Sequence, residues 1–257
     1  MQPSRPSLLI IGHGSSVSKT AEEAAIEHAK TLSLSHRFGT IQTYFLKAGS
    51  DLPELPEGEI FLLPFFMSDG FFVKQRIPSV FSLKDGQRIE ADRQLYMCDA
   101  FGVDPELAMI LKSMALERLR NLKLEPSETA VLLIAHGSGK SSASEEAARL
   151  QQSALANISA FGAVDVAFLE QNPTIADGLD RLAGRFATII CLGLFAGGGP
   201  HANQDVPTEI ADWQKSDTGS KAGVAVFYEG AVGERAEVVR LIQDSISRRA
   251  ASLVDKN

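Results

Sequence analysis

The stretch SLLIIGHGSSVSKTAEEAA, Ser7 to Ala25, returns as AVLLIAHGSGKSSASEEAA, Ala130 to Ala148, at a constant offset of 123 residues. His13 falls on His136. The same offset carries Phe38-Gly39 onto Phe161-Gly162 and Phe45-Leu46 onto Phe168-Leu169, and so sets Lys47 against Glu170. Six further residues in the second copy then move the offset to 129. That aligns FMSDGFFVKQRIP, Phe66 to Pro78, with FAGGGPHANQDVP, Phe195 to Pro207, and places Phe72 opposite His201. Self-similarity at this period is an internal duplication. The expected boundary is KLEPSET, Lys123 to Thr129, with lobes at 1–123 and 130–257.

Working outward, each copy alternates short apolar runs with helical patterns. The runs are Leu8–Ile11, Ile41–Leu46, Ile60–Phe65 and Gln94–Cys98, then Val131–Ala135, Val164–Leu169, Thr188–Leu194 and Val224–Tyr228. They are too uniformly apolar for half-exposed strands and suit a parallel sheet covered on both faces. Helical patterns fall at Thr20–Leu34, Asp104–Leu122, Ser144–Ile158, Thr174–Leu182, Asn203–Trp213 and Glu234–Ala251. Strand–helix alternation predicts right-handed crossovers and an α/β fold of two tandem, doubly wound lobes facing a central cleft.

Composition removes several function classes. With 44% hydrophobic and 22% charged residues among 257, the chain has the make-up of a globular enzyme. Its longest apolar run, Ile60–Met67, falls far short of the roughly 20 residues a membrane span needs, and the apolar stretch near the start runs straight into a glycine turn, unlike a signal peptide. A cytoplasmic location and no membrane partner are expected. A net charge of −7 argues against nucleic acid as a partner. Residues 1–123 are near neutral, with 14 basic and 15 acidic side chains, whereas residues 124–257 carry 11 and 17. Two cysteines, Cys98 and Cys191, both in strand-like runs, build neither a disulfide framework nor a four-ligand zinc site and read as core packing.

Ligands of an open parallel sheet bind outside the carboxyl ends of its strands, near the point where strand order reverses. His136 follows the first strand of the second lobe, Glu170 ends the second, and His201 lies in the loop after the third. With strand order 2-1-3-4 these strands are neighbours about 4.8 Å apart, so two imidazoles and a carboxylate converge at one edge. Such a set suits a divalent first-row metal. For His136 taken alone, a hydrogen bond to its own loop is the plainer expectation.

HGSGKSS, His136 to Ser142, lacks the spacing of a phosphate-binding loop, although a helix N-terminus there could still take an anion. Thr20/Glu23 and Ser142/Glu145 fit capping boxes. The glycines Gly197, Gly198 and Gly199 indicate a close backbone approach or a moving loop. Lys74 and Arg76 read by default as solvated charges.

Taken together, a strand ending in HGS, a strand ending in FLE, and FAGGGPHANQDVP resemble the sirohydrochlorin cobaltochelatase and ferrochelatase family of cobalamin and sirohaem synthesis, over nearly the whole chain as two tandem copies. The resemblance implies a class II chelatase-like fold and insertion of Co2+, Fe2+ or Ni2+ into an anionic tetrapyrrole, with the metal as substrate and no organic cofactor. It further implies that His136 and His201 bind the metal while Glu170 assists with metal or protons. His13, Lys47, Phe72, Lys74, Arg76 and Gly197–Gly199 are then candidate substrate contacts. Tandem members of the family hold the histidine pair in the first copy; here it stands in the second. A non-catalytic metal or tetrapyrrole carrier is the alternative, and a monomer is expected because both lobes lie in one chain.

Overall fold

The computed structural model describes residues 5–14, 20–47, 51–139 and 141–254. Each copy forms a sheet. The first contains β1 (Ser7–Gly12), β2 (Ile41–Phe45), β3 (Gly58–Pro64), β4 (Gln87–Ile89) and β5 (Arg93–Met97), in the order β2-β1-β3-β5-β4. The second contains β6 (Thr129–Ala135), β7 (Ala163–Phe168), β8 (Thr188–Leu194) and β9 (Ala225–Ala231), in the order β7-β6-β8-β9 and parallel throughout. The expected 2-1-3-4 order thus holds for the parallel strands of both copies. Strands β1, β6 and β8 are buried at every position, as unbroken apolar runs require when both sheet faces are covered.

Strand β4 falls outside the expected pattern and pairs antiparallel with β5. The chain enters β4 through a tight turn at Asp85-Gly86, both at positive φ, closed by reciprocal bonds between Lys84 and Gln87. An Asp-Gly pair is the sequence signal for such a two-residue hairpin turn.

The described residues form eight α-helices: α1 (Thr20–Leu34), α2 (Ile77–Val80), α3 (Leu107–Leu122), α4 (Ala143–Ile158), α5 (Ile175–Ala183), α6 (Val206–Lys215), α7 (Asp217–Ala222) and α8 (Val238–Val254). The copies 1–123 and 130–257 are units of sequence, and the packing units divide the chain differently. One packing unit is 1–104 with 236–257; the other is 105–235. Helix α3, from the end of the first copy, packs on α4 and β8, whereas α8, from the end of the second, packs on α1 and β3. The apolar stripe of α8, Val238, Leu241, Ile242 and Ile246, is buried in the first unit. Buried Asp104 takes an ion pair from Arg248 in that same unit.

Helices α3, α6 and α8 start three or four residues later than expected, at Leu107, Val206 and Val238, and the cap expected at Ser142 does not form. Ser142 makes no side-chain cap for α4. Glu145 is drawn instead to Arg149 at 2.7 Å and to Gln171 at 2.9 Å, which leaves no carboxylate for a capping box. A complete capping box forms at Thr174 and Asp177, at the start of α5. Cys98 and Cys191 are both free and buried, as expected. Among the described residues no helix is long and apolar enough to cross a membrane.

After the last parallel strand of each copy the chain makes a matched turn. Gly102 N donates to Phe66 O at 2.8 Å and Gly233 N to Phe195 O at 2.9 Å. A Cβ at Gly102 would strike the Met67 backbone, and one at Gly233 the Ala196 backbone. Because backbone cannot swing aside, Gly233→Ala is expected to cost about 1–3 kcal/mol. Thermal melting reads this directly, and an unchanged midpoint would show that the Phe195–Ala196 segment yields freely.

Candidate functional site

The three neighbouring strands β7, β6 and β8 deliver Glu170, His136 and His201 to one sheet edge. His136 is the residue after β6. Glu170 leaves β7 held to it by backbone: Leu169 N donates to Ala135 O at 3.1 Å and Glu170 N to His136 O at 2.9 Å. His201 opens a π-helical turn, His201–Asp205, that continues into α6. Such turns are rare and occur often at functional sites.

The two imidazoles meet at Nε2. His136 Nε2 and His201 Nε2 lie 3.3 Å apart, with ring centroids at 4.5 Å and planes at 87°. The other nitrogen of each ring faces an acceptor: His136 Nδ1 is 3.0 Å from Gly137 O, and His201 Nδ1 is 2.7 Å from Asp205 Oδ2. A carbonyl and a carboxylate can only accept, so each neutral ring carries its proton on Nδ1. Both Nε2 atoms therefore present lone pairs to each other. Two facing lone pairs at this distance call for a positive centre between them, a metal ion or a proton. At metal–nitrogen bonds of about 2.0–2.1 Å, two nitrogens on one ion stand roughly 3.0–3.4 Å apart, and the observed separation lies in that range.

Glu170 Oε1 is 3.6 Å from His136 Nε2, and its side chain is 58% exposed. This carboxylate borders the histidine pair without closing around it. Among the described residues, no group of three or more His, Cys, Asp or Glu side chains forms a ready ion cage. An open two-nitrogen seat with an exposed acid beside it suits an ion in transit better than one held permanently.

The first copy repeats the scaffold with different side chains. Leu46 N donates to Gly12 O at 3.1 Å and Lys47 N to His13 O at 2.9 Å, so Lys47 occupies the backbone place of Glu170. His13 and Phe72 meet with centroids 4.5 Å apart and planes at 85°, nearly the geometry of His136 and His201. Phe72 begins the matching π-helical turn, Phe72–Arg76, and Arg76 stands where the second copy has Asp205. Ligand and orienting carboxylate are thus both replaced. Burial and the Lys47 charge hold His13 less basic than an ordinary imidazole, against the pull of its bond to Gly14. Phe66 stacks on Phe72 at 5.9 Å, and Phe71, 60% exposed, meets Phe72 edge-on at 5.6 Å. Lys47, Lys74 and Arg76 are exposed.

Of the three glycines, Gly198 is buried, and the space beside it is filled by Glu234 and Asn203. Asn203 also donates to Gly198 O at 2.5 Å, so the close backbone approach signalled by the glycine run is at least partly to the protein itself. Lys140 of HGSGKSS lies outside the described residues.

Asp205 and Gln171 were not singled out from sequence. Asp205 could have been, since it follows His201 by one helical turn. Gln171 has no local signal: its Oε1 accepts from Ser138 N at 2.7 Å, and its amide donates to Glu145 on α4. It ties the loop bearing His136 to the strand exit bearing Glu170. Gln171→Ala is expected to cost about 1 kcal/mol of stability and to weaken Co2+ affinity about tenfold, read by titration calorimetry. Unchanged affinity would make Gln171 a loop support only.

The CbiX family model matches residues 7–118 and again residues 130–249. The probable sirohydrochlorin cobaltochelatase of Halobacterium salinarum is 25% identical over 95% of this chain and 90% of its own. The structure of CbiX, described as the terminal enzyme for biosynthesis of siroheme in denitrifying bacteria, superposes with a TM-score of 0.73 at 27% identity, covering 94% of this chain and 98% of that one. DR2241 of Deinococcus radiodurans, a multi-domain protein with structural similarity to chelatases, superposes with a TM-score of 0.77 at 18% identity. The match covers 94% of this chain but only 54% of that longer one.

Proposed function

The chain belongs to the CbiX family, and from that premise we propose that it inserts a divalent metal ion into sirohydrochlorin or a closely related tetrapyrrole. The observation that carries this reading is the pair of Nε2 lone pairs 3.3 Å apart beside Glu170. Metal handling then belongs to the second copy, through His136, His201 and Glu170, and the first copy is a degenerate metal site that serves substrate contact.

Insertion releases two pyrrole N–H protons as one divalent ion enters, so acceptors must be at hand. Glu170, a carboxylate at the seat, takes one as general base. As the ion leaves the imidazoles, their Nε2 lone pairs become free to take another. Asp205 is a positioning residue, since its bond to Nδ1 keeps the lone pair of His201 on Nε2.

On the first copy, the Phe66–Phe71–Phe72 group offers an apolar, aromatic surface for a flat macrocycle. His13, kept neutral, adds an edge to it. Lys47, Lys74 and Arg76 supply cations for peripheral carboxylates. A net charge of −7 opposes a polyanion at long range, so the local basic group governs docking.

Nitrogen and oxygen ligands rank the candidate ions in the same order in most proteins. Cobalt and iron are the first to assay, given the names of the relatives. The test is an absorbance assay with sirohydrochlorin and Co2+, Fe2+ or Ni2+. A metallated spectrum forming faster than without protein is the expected result. Binding of metal or tetrapyrrole with no acceleration for any ion would replace the enzyme with a carrier.

A further inference from the structure

Helices α3 and α8 are equivalents under the duplication. Gly102 and Gly233 mark the same turn in the two copies, and their offset of 131, carried forward, sets Asp104 against Arg235, Lys112 against Gln243 and Glu117 against Arg248. The buried stripes match too: Leu107, Ile110, Leu111 and Ala115 stand at the places of Val238, Leu241, Ile242 and Ile246. Apolar packing alone gives neither sheet a strong reason to take the other copy's helix instead of its own.

Charge supplies that reason. In the first packing unit buried Asp104 pairs with Arg248 of α8. In the second, Arg235 Nη2 pairs with Glu117 Oε2 of α3 at 2.8 Å. These are the same two places with the signs reversed. Were α3 to close on its own copy, Glu117 would come to Asp104, setting a second carboxylate against one that is 4% exposed. Were α8 to do so, Arg248 would come to Arg235, and neither guanidinium can shed its charge. A further pair of matched contacts leans the same way. Arg37 Nη1 donates to Gln243 Oε1 of α8 at 3.3 Å, whereas Lys112 Nζ of α3 donates to the Ile158 carbonyl at 2.6 Å. With α3 on the first sheet, Arg37 would meet the ammonium of Lys112 in place of an acceptor.

We infer that the seat each sheet offers its closing helix is charge-coded. The first copy's sheet accepts a cation at the place of Arg248 and refuses the anion of α3; the second copy's accepts the anion of Glu117 and refuses the cation of α8. Selecting between two similar partners takes a repulsive element against the wrong one as well as an attraction to the right one, and the reversed ion pairs provide both. The exchange of α3 and α8 is thereby a specified pairing, whatever ion or substrate the chain handles.

The test is made on the full-length chain. Arg248→Glu gives α8 the charge that α3 carries at that place, whereas Arg248→Gln removes only the attraction. The glutamate variant is expected to melt roughly 6 °C or more below the glutamine variant. Asp104→Asn, a change without added bulk, should close that gap to within about 2 °C. The position of α8 is read with a nitroxide attached through Leu34→Cys, at the exposed end of α1; the native thiols are buried. With no other change the label should broaden the amide signals of α8 around Gln243, which the contact with Arg37 holds near that end of α1. Exchanging the two helix charges, Glu117→Arg with Arg248→Glu, should abolish this broadening. Equal midpoints for Arg248→Glu and Arg248→Gln, a gap that survives Asp104→Asn, or α8 still broadened in the charge-exchanged chain overturns the inference. No substitution here touches His136 or His201, so Co2+ titration of the same samples reads the metal site separately.

Discussion

His201→Ala abolishes stoichiometric divalent-metal binding and turnover together, and His136→Ala does the same, while His13→Ala leaves metal affinity intact. These are the expected results of calorimetric titration with Co2+ and of the sirohydrochlorin absorbance assay on the same preparations. The reason lies in the pairing: one Nε2 lone pair is a weak seat, and two at 3.3 Å share an ion. His13 has only Phe72 at the corresponding place, so its removal deprives the metal of nothing. Asp205→Ala should fall between these extremes, because His201 keeps its ring and loses the bond that orients it. A loss of about 10–100-fold in affinity is usual for such outer partners, and the full loss in His201→Ala should exceed it. One ion per chain is expected. Two equivalent ions per chain, or loss of binding in His13→Ala, would falsify the assignment of the metal site to the second copy.

Ending the chain at Arg235 is expected to unfold the first copy's sheet rather than the second's. Helix α8 buries Val238, Leu241, Ile242 and Ile246 in the unit that contains residues 1–104. Each such side chain contributes about 1.5–3 kcal/mol, so four amount to roughly 6–12 kcal/mol, comparable with the 5–15 kcal/mol that holds a typical domain folded. Asp104 would also lose Arg248 and remain as a buried charge, a separate penalty of several kcal/mol. Hydrogen exchange resolved by residue separates the outcomes. Rapid exchange across β1, β3 and β5 with protection kept in β6 and β8 is expected. The reverse pattern would mean that α8 supports its own copy.

The duplication was legible at once, because two copies of one stretch at a fixed offset need no structure to be seen. The parallel sheets were legible as well: after a polar first residue, β1, β6 and β8 carry no polar side chain, and only burial on both faces makes that stable. Strand order then put His136, Glu170 and His201 at three adjacent strand ends, so residue spacing alone brought this cluster of side chains into view.

Other features depended on contacts between residues far apart in the chain. The exchange of α3 and α8 between the copies is one, since the same apolar stripe could bury itself on either sheet and local sequence does not say which. Gln171 reaches Ser138 and Glu145 across 33 and 26 residues, and no spacing rule announces it. Ser142 and Glu145 had the pattern of a capping box, but Arg149 and Gln171 offered Glu145 stronger partners than a backbone amide. Asp85-Gly86 and Asp205 were readable signals passed over, one a hairpin turn and the other a carboxylate one turn beyond a histidine. Local pattern determined the strands, the repeat and the residue types at each strand end. Only the folded chain decided which nitrogen of each histidine faces its partner, because that depends on an acceptor behind the ring and on a second ring brought within 3.3 Å from 65 residues away.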